Sequence, residues 1–165
     1  MQADSLTIVR VDYSDATQGA ALFRLLDVYA SDIAGGGQPL DPALHAPLID
    51  GLASTPGAFS LLAYVGEEAV GLANCFTGFS TFAARPLVNI HDLAVAAEWR
   101  GRGIGRALLG AVEAHAREVG AAKVTLEVLS GNEPAKALYR ATGFGDYVLD
   151  PEKGHALFWQ KSLQP

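Results

Sequence analysis

One continuous passage, strand to turn to helix, constrains the fold more than any other feature of this chain. His91-Asp92-Leu93-Ala94-Val95 reads as an apolar strand. Arg100-Gly101-Arg102-Gly103-Ile104-Gly105-Arg106 reads as a turn rich in glycine and arginine. Ile104, Ala107, Leu108, Ala111, Val112, His115 and Val119 then recur with helical spacing and form one stripe. A helix start presents free N–H groups and partial positive charge, and glycine permits positive φ and close backbone approach. Three of the chain's 12 Lys and Arg residues lie in this turn, against a formal net charge of −6. A local reversal of charge at a helix N-terminus suits a polyanion, most simply a pyrophosphate.

The pattern of the turn narrows the choice. The phosphate loop G-x-x-x-x-G-K-[ST] is absent, and the dinucleotide pattern G-x-G-x-x-G fails because Arg106 stands at its third glycine. Arg100-x-x-Gly103-x-Gly105 resembles [QR]-x-x-G-x-[GA], the coenzyme A pyrophosphate loop of the GNAT N-acetyltransferases. A second motif follows downstream. Lys123-Val124-Thr125-Leu126-Glu127-Val128 is a short β-rich run. Asn132-Glu133-Pro134-Ala135 then opens a helix, with Asn132 as N-cap and Pro134 in the first turn. That helix carries Ala137-Leu138-Tyr139 and stops at Gly143-Phe144. Its "N-x-x-A", "ALY" and "GF" are similar to the other cofactor-side motif of the same family. The two motifs together span residues 89–144, and the first third of the chain carries no such signature.

Composition sets the remaining bounds. At 165 residues a single domain, 1–165, is expected, long enough to bury one substantial core. Hydrophobic content of 50% argues against disorder. The single cysteine, Cys75, rules out an intrachain disulfide and fits a reducing, cytoplasmic setting. The start Met1-Gln2-Ala3-Asp4-Ser5 has no basic or apolar leader character, and no apolar run approaches the length of a membrane span. A pI near 5.1 argues against a general nucleic-acid binder, so neither nucleic acid nor membrane is expected as a partner. His45, His91, His115, His155 and Cys75 show no ligand spacing, so no metal is expected.

Along the chain, residues 6–11 alternate like a strand, and Asp15 caps a helix reaching about Tyr29. Gly35-Gly36-Gly37-Gln38-Pro39 breaks the chain before a second helix over residues 42–52. Strands over 58–65 and 69–76 flank the hairpin signal Gly66-Glu67-Glu68, and residues 89–95 form the next strand. Two more strands, over 144–149 and 155–161, are expected to close the chain. The order β-α-α-β-β-β-α-β-α-β-β agrees with the layout the resemblance implies. That layout is an α/β (α+β) GNAT acyl-CoA N-acyltransferase fold, a mixed and mostly antiparallel sheet flanked by helices.

The resemblance implies acetyl transfer from acetyl-CoA, as co-substrate, to a primary amine of a small molecule or peptide by direct attack. It places the cofactor at Leu93, Ala94, Val95, Arg100, Gly101, Arg102, Gly103, Ile104, Gly105, Arg106, Asn132, Ala135 and Tyr139. Backbone N–H groups around Leu93, Ala94 and Val95 would meet the pantetheine and the thioester oxygen. Tyr139 matches the family's general acid to the departing thiolate. A phenol at pKa ~10 against a thiol at ~8.5 costs about 2 kcal/mol, which a good hydrogen bond offsets. The amine must also lose a proton. His91 stands where the arylalkylamine acetyltransferases carry a histidine, and Glu127 where the ribosomal-protein N-terminal acetyltransferases carry a glutamate. Asp92 is a third candidate base, and a water chain a fourth route. Simple alternation puts Asn89, His91 and Leu93 on one face of the strand and Ile90 and Asp92 on the other.

The family's first two helices usually cover the acceptor. In this chain they hold Asp15, Asp27, Asp32, Asp41 and Asp50 against Arg24. Either an acidic lining attracts a cationic amine, or this is an ordinary acidic surface. Phe76-Thr77-Gly78-Phe79-Ser80-Thr81-Phe82 either lines the acceptor cavity or forms core and a hairpin turn. Two other classes stay open: a catalytically silent acyl-CoA-binding sensor, and a regulatory domain that forms a homodimer through its last strands.

Overall fold

In the computed structural model, which describes residues 5–163, the alternating run Leu6–Arg10 forms an edge strand, β1. Residues 1–4, on which most of the leader expectation falls, lie outside the described residues. Asp15 caps α1 (Ala16–Ser31), its carboxylate accepting the Thr17 and Gln18 N–H groups that the first turn leaves free. A second helix, α2 (His45–Ser54), leads to the hairpin of β2 (Ala58–Val65) and β3 (Glu68–Ser80). Gly66 turns this hairpin at φ 60°. Then come β4 (Arg85–Val95), α3 (Ile104–Glu118) and β5 (Val124–Leu126). These elements make one compact unit, Met1–Leu126.

The sheet runs in the order β1-β2-β3-β4-β5, antiparallel throughout except for the parallel β4–β5 pair. It is the mixed, mostly antiparallel sheet expected, with helices on both faces. That double cover explains why β2 and β3 are apolar almost without interruption. On one face Leu62 and Leu72 pack with Val11, Leu22 and Leu25, and Ile49 and Leu52 of α2 close the cluster. On the other face lies α3. A Cβ on Gly71 would stand 3.1 Å from the Ala94 carbonyl, 3.2 Å from Leu108 and 3.3 Å from Ile104, so glycine lets α3 settle close to β3.

The aromatic stretch spans the end of β3 and the turn that follows it. Phe76 lies within β3, whereas Phe79 and Phe82 are exposed near the β3–β4 turn, Phe82 at 90%.

The second compact unit, Glu127–Pro165, holds α4 (Glu133–Ala141). Asn132 caps it by accepting the Ala135 N–H at 3.2 Å. Gly143 stops it at φ 91°, and the Phe144 N–H returns to the Tyr139 carbonyl at 3.0 Å. The two closing strands are a correction: no strand forms over residues 144–149 or 155–161. One backbone bond, Ala156 N–H to the Tyr147 carbonyl at 3.3 Å, joins the runs. Alternating apolar residues are only a disposition to pair, and a ladder also needs a partner and a face to bury. Here Leu149, Leu157, Phe158 and Trp159 are exposed, Trp159 at 83%.

Candidate functional site

The turn before α3 leaves backbone donors open. Gly101 and Gly103 take φ 75° and 82°, and nothing stands within 4 Å of a Cβ added at either. Gly103 is the N-cap of α3 and supplies no side chain, so the first-turn N–H groups lack a side-chain acceptor. Ile104 anchors the turn by burying its side chain, while Arg106 points no hydrogen bond or ion pair at any described residue. The Arg102 guanidinium lies over the Trp99 ring, 4.7 Å from its centroid. Arg100 is committed elsewhere. It donates to Asp32 Oδ2 at 2.8 Å and, through Nε, to the Val95 carbonyl at 3.0 Å. The guanidinium, with the Ala34 N–H second, holds the Asp32 carboxyl below its ordinary range. Arg100 thus clamps the turn to the end of α1 and leaves Arg102 and Arg106 as its uncompensated charges. Open glycines, uncapped donors and two such arginines fit a diphosphate.

β4 approaches this turn with an irregular register. Asn74 pairs with Asp92 but Cys75 with Ile90, so His91 is an extra residue with no partner on β3. This bulge overturns the simple alternation. Asn89 lies opposite Phe76 and Asp92 opposite Asn74, both toward the α1–α2 face. The exposed His91 joins them, its ring meeting Phe76 edge-on at 5.6 Å. Ile90 and Leu93, opposite Cys75 and Ala73, point toward α3.

Beyond the bulge the strand edge is open. β5 pairs with β4 only over residues 88–90, where Asn89 Nδ2 also donates to Thr125 Oγ1 at 3.1 Å. Among the described residues no strand pairs with 91–95 on that side. The Ala96 N–H bonds the Val70 carbonyl at 2.9 Å, on the β3 side. Alternation then turns the Leu93 and Val95 N–H groups to the open edge and leaves that of Ala94 facing β3. The Val95 carbonyl accepting Arg100 on the outer side agrees with this.

A polar chain that sequence reasoning missed ends at Asp92. Tyr13 OH is 2.8 Å from Ser60 Oγ, Ser60 donates to Asn74 Oδ1 at 2.6 Å, and Asn74 donates to Asp92 Oδ2 at 3.0 Å. Its one signal in the sequence is a serine and an asparagine inside otherwise apolar strands. Such groups persist in a core only when hydrogen-bonded. Among the described residues every buried side-chain N or O has a partner.

Four of the five aspartates over the first two helices have a local role. Asp15, Asp32 and Asp41 cap helical turns, and Asp27 accepts the Leu40 N–H at 2.7 Å. No group of three or more metal-binding side chains occurs among the described residues.

In the second unit, Ala135 and Tyr139 lie one turn apart on α4, and the Tyr139 ring stands 5.9 Å from that of Phe144. Glu127 is exposed and directly follows β5.

The sequence model "Acetyltransferase (GNAT) family" matches residues 22–144. A streptothricin acetyltransferase of Streptomyces lavendulae is 33% identical over 143 residues, covering 78% of this chain and 74% of that protein. An uncharacterized protein of Mycobacterium leprae, ML0378, is 37% identical over 90 residues, and the match covers 53% of this chain. The chain spans about a quarter of that relative's length, 24%. The crystal structure of aminoglycoside N-acetyltransferase AAC(6')-Iy in complex with CoA superposes with a TM-score of 0.72 at 16% identity, covering 95% of each chain. That likeness is one of fold. A family match over most of the chain, a 33% identical relative and the uncapped turn before α3 together show that this chain belongs to the acetyltransferase (GNAT) family.

Proposed function

We propose that the chain is an N-acetyltransferase that moves an acetyl group from acetyl-CoA to a primary amine. One observation carries the reading: an uncapped helix N-terminus with two left-handed glycines and two uncompensated arginines follows directly on an open strand edge. Acetyl-CoA, when bound, supplies an activated acetyl thioester. Arg102, Arg106 and the first-turn N–H groups of α3 hold its diphosphate. Arg100 shapes the turn from behind. The N–H groups of Leu93 and Val95 orient the pantetheine arm and receive charge building on the acyl oxygen. His91 or Glu127 accepts the amine proton, and the Tyr139 hydroxyl gives up the proton that sulfur needs. Asn132 and Ala135 shape the start of α4.

Catalytic work by the two units as one domain is part of the proposal, and the family match running across Leu126 supports it. The acceptor is a small-molecule amine, a reading supported by the 33% identical relative, a streptothricin acetyltransferase. That transferase name favours an enzyme over a silent sensor. A lone cysteine and the lack, among the described residues, of any helix long and apolar enough to cross a membrane support a cytoplasmic setting.

The test is charge reversal at the turn. Arg102→Glu combined with Arg106→Glu is expected to weaken acetyl-CoA binding at least tenfold, about 1.4 kcal/mol, by calorimetry. Unchanged affinity in the folded double variant overturns the reading. Thiol release against a panel of polyamines, aminoglycosides, arylalkylamines, amino acids and N-terminal peptides identifies the acceptor.

A further inference from the structure

The polar chain across the sheet points in one direction. Ser60 has one hydroxyl proton and donates it to Asn74 Oδ1, so Tyr13 must be the donor to Ser60. With its carbonyl thus engaged, Asn74 turns its amide N–H to Asp92 Oδ2, which an ionised carboxylate accepts. Three residues from the β1–α1 loop, β2 and β3 therefore align on a fourth in β4. Ser60 is 0% exposed and Asn74 3%, so neither has water as an alternative partner. Asp92 itself is only partly buried, and its Oδ1 accepts no hydrogen bond from any described residue. It sits between the bulge at His91 and Leu93, whose N–H faces the open edge.

We propose that Asp92 holds the ammonium group of a cationic acceptor through Oδ1, and that Asn74, keyed by Ser60 and Tyr13, is its positioning residue. The proposal rests on the acetyl-transfer reading and names the acceptor class for that site. A buried amide holds Oδ2 and leaves Oδ1 of the partly buried carboxylate to accept from a ligand. Fixing a charged group before the ligand arrives lowers the entropy lost on binding.

The test uses the full chain with CoA present, so that no turnover occurs, and spermidine, kanamycin and tryptamine as probes in calorimetry. The tightest binder is carried forward. Asp92→Asn keeps the shape, removes the charge and is expected to weaken that amine at least tenfold, with CoA affinity unchanged. Tyr13→Phe keeps the ring and deletes one donor, with a two- to fivefold loss expected. Asn74→Leu is expected to match Asp92→Asn, and to add nothing when combined with it. This lack of additivity separates positioning from a general packing defect. If Asn74→Leu does not fold, Tyr13→Phe takes its place in the cycle. Amine affinity unchanged in Asp92→Asn, no binding by any probe, or full additivity each overturns the proposal. Thiol release with amine affinity unchanged in Asp92→Asn sinks the ammonium site and keeps acetyl transfer. Charge-dependent amine binding without thiol release does the reverse.

Discussion

Cys75 shows how one charged residue reaches its neighbours. Its thiol is fully buried, and its pKa is pushed up to about 12, by burial first and by the Asp92 carboxylate second. A thiol with so little thiolate and no access to solvent is inert. Native protein at pH 8 is expected to resist alkylation by iodoacetamide, and to label fully only once denaturant unfolds it. Mass spectrometry measures both, and rapid native labelling would show that the core opens locally around β3. At this scale the legible residues were those whose role is local. Asp15 and Asn132 cap helices through N–H groups within three residues, so spacing alone exposed them. Tyr13, Ser60, Asn74 and Asp92 form one chain across separations of 47, 14 and 18 residues, a juxtaposition only the sheet register creates.

Helices and strands divide in the same way. α1, α3 and α4 were legible because each joins a periodic stripe to a start or stop signal. β2 and β3 were legible from their apolar runs around a glycine turn. The closing strands were not, because alternation over 144–149 and 155–161 reports a disposition and a sheet edge decides the outcome. Nor was the bulge at His91, since an extra residue breaks the period from which faces are assigned. The turn before α3 permits a sharp test. Gly103 adopts φ 82° in open surroundings, so an added methyl meets backbone strain and no clash. Gly103→Ala is expected to lower stability by about 1 kcal/mol through that strain. Denaturant unfolding measures it. Acetyl-CoA affinity should fall as well, because the cap must leave its left-handed conformation to relieve the strain. A variant with wild-type midpoint and affinity would show that the turn tolerates another conformation.

Over the whole molecule, stability acquires a pH dependence from His115 on α3. Its Nδ1 lies 3.4 Å from Arg10 Nη1 of β1, and its ring packs on Phe59 with centroids 4.2 Å apart. Arg10 can only donate, so Nδ1 accepts and Nε2 carries the proton of the neutral ring. Burial, then the Arg10 charge, lowers the histidine's pKa from 6.5, and Glu118 opposes them weakly. The folded state therefore binds this proton less readily than the unfolded chain. The contribution to stability is complete above pH 6.5 and is lost as pH falls through the lowered folded value. His115→Gln cannot titrate, and its melting temperature is expected to fall less than wild type between pH 7 and 5. Calorimetric scans across that range compare the slopes, and parallel slopes would remove His115 from the acid response.

The bulge carries one more consequence, for length rather than shape. Removing His91 would make Ile90 and Asp92 consecutive, opposite Cys75 and Asn74, which are consecutive already. A version of this strand one residue shorter therefore keeps every pairing and every inside–outside assignment. The extra residue is invisible to the hydrophobic code of the sheet, and a change of length can enter or leave at this point without moving the core. What it does change is the local bend of β4, at the place where β5 ceases to follow it. In an alignment such a residue is a gap of one, easily dismissed as noise. In this fold it marks where the sheet divides.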